Sequence, residues 1–179
     1  MFEYDVNTRF ESPFGSGIDW SPNGKTIAAV SGGRIYLLEF PPADKWSPLE
    51  NCGDHFMNLA WSPDGNKIAA FSLSGSVSIC DPKTDQLLAR LDGLSHKAER
   101  NDLDWSSDGR LLAATSFRLQ ITSSGLRTIE HRVIIWDTTT WQPIRTLQGT
   151  MPFYSVAFSP DSKVLAVGSS DGTIWLIEP

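Results

Sequence analysis

Cysteine is scarce in this 179-residue sequence, with Cys52 and Cys80 alone representing it. Their number and separation fit neither a disulfide framework nor a zinc site, so both are expected as thiols suited to a reducing cytosol. Positive charge is also short: 15 Lys and Arg stand against 21 Asp and Glu, for a net charge of −6. Such a balance repels phosphate backbones and anionic lipid, so nucleic-acid and membrane-surface partners are not expected. Apolar runs such as IAAV and LLAA fall far short of the roughly 20 residues that span a bilayer. The opening MFEYDVNTRF carries Glu3 and Asp5 where a secretory signal would place Lys or Arg. A soluble, cytoplasmic chain is the expectation. Catalytic motifs are missing too. FGSGIDWS lacks the further Gly, the Lys and the helix of a phosphate-binding loop, and neither GxSxG nor HExxH occurs. No enzyme activity, cofactor or metal is expected.

What the sequence does contain is one phrase written four times. WSPNGKTIAAVSGGRIYLLE (20–39), WSPDGNKIAAFSLSGSVSICD (61–81), WSSDGRLLAATS resuming at VIIWD (105–137) and FSPDSKVLAVGSSDGTIWLIE (158–178) share one register. The aromatic anchors Trp20, Trp61, Trp105 and Phe158 are 41, 44 and 53 residues apart, and repeats of about 40–45 residues signal propeller blades among other arrays. Within a copy, short β-compatible runs separated by Ser and Gly read as a hairpin, with no sustained helical period. The SPDG stretch places Pro and Gly as a type I turn requires, so a further strand, as in FYSVAF, must precede it. QLLARL and QPIRTL supply a fourth strand between copies.

In this arrangement the chain resembles the WD-repeat β-propeller family over nearly its whole length, and VIIWDTTTWQPIRTLQG matches the end of a blade well. The resemblance implies an all-β fold of four-stranded antiparallel blades, four per chain, in a single domain over 1–179. It also implies a non-enzymatic scaffold for protein or peptide binding. Only Trp136 and Asp137 form the family's dipeptide; Leu38–Glu39, Cys80–Asp81 and Ile177–Glu178 replace it elsewhere. The family's buried His, Ser or Thr, Asp and Trp set is therefore incomplete. By position His55 and Ser72 pair in the second blade, His96, Ser116 and Trp136 are candidates in the third, and Ser169 and Asp171 remain in the fourth. Apolar packing is expected to replace much of that network, because a partly satisfied buried network is costlier than an apolar one.

The fourth copy ends after its third strand, whereas EYDVNTRF (3–10) precedes the first copy as an additional strand. The expectation is that 3–10 completes the last blade of this chain or of a partner, hiding an edge that invites aggregation. Two chains joined head to tail would make an eight-bladed ring; a closed four-bladed monomer and a half of a longer protein are the alternatives.

The third copy carries about a dozen extra residues inside its hairpin, FRLQITSSGLRTIEH, read as two strands growing outward around Ser123, Ser124 and Gly125. The resemblance implies that this arm shares a face with the preceding loop, which would gather His96, Lys97, Arg100, Arg118, Arg127 and Arg132 as candidates for an acidic partner segment. The competing view is a solvated hairpin. His55, His96 and His131 lie on that face without the pairing of a metal site. Asp102 and Asp104 face the same way on an inner strand, where they line the channel or a solvated rim. An enzyme or metal-binding sensor in the channel is the alternative from another class. Trp20, Trp61, Trp105 and Phe158 are expected between blades; Trp46 and Trp141 serve as exposed contacts or as packing on the opposite side.

Overall fold

A computed structural model of the chain describes residues 17–40, 46–94, 101–123 and 125–179. Four antiparallel sheets follow one another as propeller blades. Blade 1 contains β1 (Ile18–Trp20), β2 (Thr26–Ser31), β3 (Arg34–Glu39) and β4 (Ser47–Pro48); blade 2 contains β5 (Phe56–Trp61), β6 (Ile68–Ser72), β7 (Ser76–Asp81) and β8 (Gln86–Leu91). Blade 3 has β9 (Leu103–Trp105), β10 (Leu111–Thr122), β11 (Gly125–Asp137) and β12 (Pro143–Gln148); blade 4 has β13 (Phe153–Phe158), β14 (Leu165–Ser169) and β15 (Ile174–Ile177). Among the described residues blade 4 thus has three strands, and β15 is its free edge. Residues 3–10, expected as the missing strand, lie outside the described residues.

The turn between the first two strands of each blade is built by side chains as well as by Pro and Gly. In blade 2 the Ser62 hydroxyl donates to Asp64 Oδ1 at 2.6 Å and accepts from Lys67 N at 2.9 Å. The Gly65 amide bonds the Ser62 carbonyl at 2.9 Å, with Gly65 at φ 68°, a conformation that glycine reaches without a Cβ penalty. Ser21 with Asn23, Ser106 with Asp108 and Ser159 with Asp161 repeat the hydroxyl contact. This repeated local bond fixes the register of each following hairpin.

Strand alternation then sends apolar side chains to both faces of each central sheet. Ala28, Val30 and Ile35 of blade 1 meet Phe56, Leu59, Trp61 and Ile68 of blade 2. Phe71, Val77 and Ile79 of blade 2 meet Leu103, Trp105, Leu112, Ile134 and Trp136 of blade 3. Val133 and Ile135 of blade 3 meet Phe153, Val156, Leu165 and Val167 of blade 4. The inner strands β1, β5, β9 and β13 touch in that order. The arc ends there: among the described residues, blade 4 does not pack extensively on blade 1. Ile18 and Trp20 on one flank, and Ile174 and Leu176 on the other, are exposed.

One expectation is corrected at the first junction. Cys52, in the connection to blade 2, and Cys80 on β7 form a disulfide, with Cα atoms 5.7 Å apart and both residues fully buried. Their separation of 28 residues gave no hint of this, because folding of β7 against the connection brings them together.

Candidate interaction surface

Along the inner edge of the arc, carboxylates on one blade accept backbone amides of the next. Asp19 Oδ2 accepts from Trp61 N at 2.8 Å, Asp104 Oδ2 from Phe158 N at 2.6 Å and Asp102 Oδ2 from Val156 N at 3.1 Å. Burial pushes all three carboxyls above the usual carboxylate range, against the pull of these amide bonds. For Asp104 the negative charges of Asp102 and Asp19 push further in the same direction. Asp102 and Asp104 are therefore neither a free channel pair nor a solvated rim. They are stitches between blades, and the repeat of Asp before Trp at 19–20 and 104–105 was the sequence signal for Asp19 and Asp104.

The outer end of blade 3 carries the arm. β10 and β11 remain paired to Thr122↔Gly125, with an irregularity between Ser116 and Arg118 and a positive φ of 56° at Glu130. Bulges of this kind re-aim a strand. At the bulge Phe117 is buried and meets Tyr154 of blade 4 edge-on, centroids 5.7 Å apart, which anchors the arm's base. Above it, Arg118 and Arg132 line a cleft with Glu130 and with Ser74, Asp92 and Leu94 of blade 2. Arg118 Nη1 lies 3.4 Å from Glu130 Oε1. Arg90 of β8 joins from the other side, donating to Ser74 Oγ at 3.2 Å and standing 3.5 Å from Asp92. Arg90 went unnoticed in the sequence because it belongs to a different blade from the arm.

Of the other expected contacts, Arg127 has its side chain, and His96, Lys97 and Arg100 their whole placement, outside the described residues. His131 is buried at the arm's base, its Nε2 without a hydrogen-bond partner. The expected His55–Ser72 pair does not form: Ser72 donates to the Asp54 carbonyl at 3.1 Å instead. His55 adopts φ 59°, and its side chain is exposed beside Asp54. Among the described residues no three His, Cys, Asp or Glu side chains gather as a metal set. Trp136 is buried in the blade 2–3 core with Trp105, while Ser116 is fully buried on β10. Asp137 caps the next turn, accepting from Thr139 N and Thr140 N at 2.9 and 2.8 Å. Asp171 accepts from Thr173 N at 3.0 Å in the last hairpin. Trp141 packs edge-on against Trp105 at 6.2 Å, and Trp46 is half-buried.

Blades with a Ser-anchored turn, joined by apolar faces into an arc, define a β-propeller of the repeat type. Residues 141–178 match the family model for the WD domain, G-beta repeat. The chain is similar to WD repeat-containing protein SL1-17 of Schistosoma mansoni, with 34% identity over 119 residues, covering 66% of this chain and 38% of that protein. It is similar also to WD repeat-containing protein AAC3 of Dictyostelium discoideum, with 26% identity over 168 residues, 90% of this chain and 33% of that one. Protein HIR1 of Cryptococcus neoformans var. neoformans serotype D aligns at 26% identity over 177 residues, 86% of this chain and 18% of that one. Residues 141–178 thus carry a WD repeat and the chain as a whole is similar to WD-repeat proteins, spanning less than two fifths of the length of each of these relatives.

Proposed function

We propose that the chain is a non-enzymatic interaction scaffold that holds an acidic protein segment in the cleft between the blade 3 arm and blade 2. The observation that carries this reading is a cleft lined by Arg118 and Arg132, with Arg90 bonded to its Ser74 wall, on a chain whose net charge is −6. Guanidinium groups offer planar, paired donors to carboxylates, so three of them around Glu130 and Asp92 leave donor capacity for an incoming acid. The rigid sheets beneath fix where those donors stand.

An anisotropy titration with a fluorescein-labelled Glu-rich peptide tests it, beside a Lys-rich peptide of equal length. The Glu-rich peptide is expected to bind, with affinity falling as salt rises. Arg118→Glu combined with Arg132→Glu is expected to weaken it by more than about tenfold, since each lost charge-assisted bond at a partly buried site is worth about 1.5–3 kcal/mol. Equal affinity of the wild type and the double variant sinks the reading.

The same proposal includes the assembly that presents this face. Two copies close an eight-bladed ring, and residues 3–10 add the outer strand to β15 of blade 4. The free edge of β15 and its exposed Ile174 and Leu176 support it, as does the alternation of Tyr4, Val6, Thr8 and Phe10.

A further inference from the structure

The four blades are not equivalent; they alternate. The junctions from blade 1 to 2 and from blade 3 to 4 use an inner-strand aspartate, Asp19 on Trp61 N and Asp104 on Phe158 N. Blade 2 has Ala60 where the other two have Asp, and its junction to blade 3 is made differently: the Trp105 indole Nε1 donates to the Ala60 carbonyl at 3.2 Å. At the 1-to-2 junction, by contrast, the Trp61 indole Nε1 is buried without a partner. Aspartate-bearing blade 3 therefore reaches back with its indole N–H to the alanine-bearing blade before it, and the alanine-bearing blades 2 and 4 each donate a backbone amide to the carboxylate of the aspartate-bearing blade before them.

Blade 4 carries Ala157 at the Ala60 register, and blade 1 carries Asp19–Trp20 at the register of Asp104–Trp105. We infer that the outward face of blade 4 takes the exposed flank of blade 1 from a second copy of this chain, by the chemistry of the 2-to-3 junction, with Trp20 Nε1 donating to the Ala157 carbonyl. Pairing registers support this. Trp20↔Ile27 and Ile18↔Ala29 reproduce Leu112↔Trp105 and Ala114↔Leu103, residues that are buried in the 2-to-3 core. On the other side Leu176 opposite Ala166 reproduces Ile79 opposite Ala69. The equivalents on the open flanks are apolar yet exposed: 65% for Ile18, 47% for Trp20 and 74% for Leu176.

An independent feature on the turn face agrees. A Cβ on Gly65 of blade 2 would sit 3.5 Å from Pro22 of blade 1, and one on Gly109 of blade 3 would sit 3.3 Å from Pro63 of blade 2. The turn glycine of one blade thus lies on the turn proline of the blade before. Gly24 of blade 1 has nothing within 4 Å of such a position, and blade 4 carries an exposed Pro160 in the matching place. The second copy supplies each missing half, and twofold symmetry repeats the contact to close the ring.

This junction rests on the two-copy ring proposed above, and sedimentation velocity of the full chain separates the two claims. The wild type is expected at twice the 19.8 kDa chain mass. Trp20→Ala and Leu176→Glu are each expected to weaken association by more than about tenfold, as removal of a central aromatic or apolar anchor does. Ile144→Ser, on the outer strand β12 of blade 3 and away from both flanks, serves as the control and leaves the mass unchanged. All three positions are exposed, and far-UV circular dichroism checks that each variant keeps its sheets. A strictly monomeric wild type at 100 µM or so overturns ring and junction together. A dimer whose affinity survives both Trp20→Ala and Leu176→Glu overturns this junction and leaves the ring to another contact.

Discussion

Replacing Trp136 with alanine is expected to lower the free energy of unfolding by about 3–5 kcal/mol, the range for removing a large aromatic from a tight core. Trp136 is 1% exposed and lies in the cluster where Phe71, Val77 and Ile79 of blade 2 meet Leu112 and Ile134 of blade 3. The backbone around it is held by β10 on one side and β12 on the other, so the vacated space has little means to collapse. Urea unfolding followed by circular dichroism reads the change. Trp136→Phe is expected to recover more than half of the loss by refilling most of the volume. A loss under about 1 kcal/mol for the alanine variant would mean that the two blades do not share this core.

Removal of the Asp104 carboxylate is expected to act in two opposite ways. In Asp104→Ala the Phe158 amide, now bonded at 2.6 Å, loses its acceptor, and an unsatisfied donor at a partly buried site costs about 1–3 kcal/mol. Asp104→Asn keeps an acceptor while removing a charge that burial and the neighbouring Asp102 and Asp19 disfavour. The sign of the pH dependence follows. The folded carboxyl holds its proton to higher pH than the unfolded one, so its contribution is fully present below the ordinary value of 3.8 and declines as pH rises through the raised one. Asp104→Asn is expected to flatten that decline and to match or exceed the wild type at neutral pH. Asp64 works in the other direction. Burial pushes its carboxyl up, but bonds from Ser62 and Asn66 with the charge of Lys67 outweigh this and hold it at about 2. Its contribution is lost as pH falls from the ordinary range toward that value. Thermal melts between pH 2 and 7 show both limbs, and an unchanged upper limb in Asp104→Asn would remove the carboxylate as its origin.

Four copies of one phrase made the blades and their strands legible in advance. Turn chemistry fixed SPDG, alternation fixed the hairpins, and the long insertion is the paired arm that its alternating residues implied. The site was legible only in part. Arg118 and Arg132 belong to one hairpin and stand out together, whereas Arg90, on β8, bonds Ser74 in the opposite wall of the cleft. The pairing of Cys52 with Cys80 depends on the same kind of non-local approach. His55 misled for a local reason: positional homology put it beside Ser72, but a left-handed backbone at His55 turns its side chain into solvent. Asp102 and Asp104 do face one way, as strand alternation requires, yet the sequence alone does not say that a neighbouring inner strand presents free amides to them.

Because Asp19 and Asp104 alternate with Ala60 and Ala157, the smallest interchangeable module of this arc is a pair of blades. Inserting a single blade would set two carboxylate-bearing rims or two bare ones in succession, whereas grafting a duplicated pair keeps every donor opposite an acceptor. Rings enlarged or shortened by engineering should therefore tolerate even steps and resist odd ones.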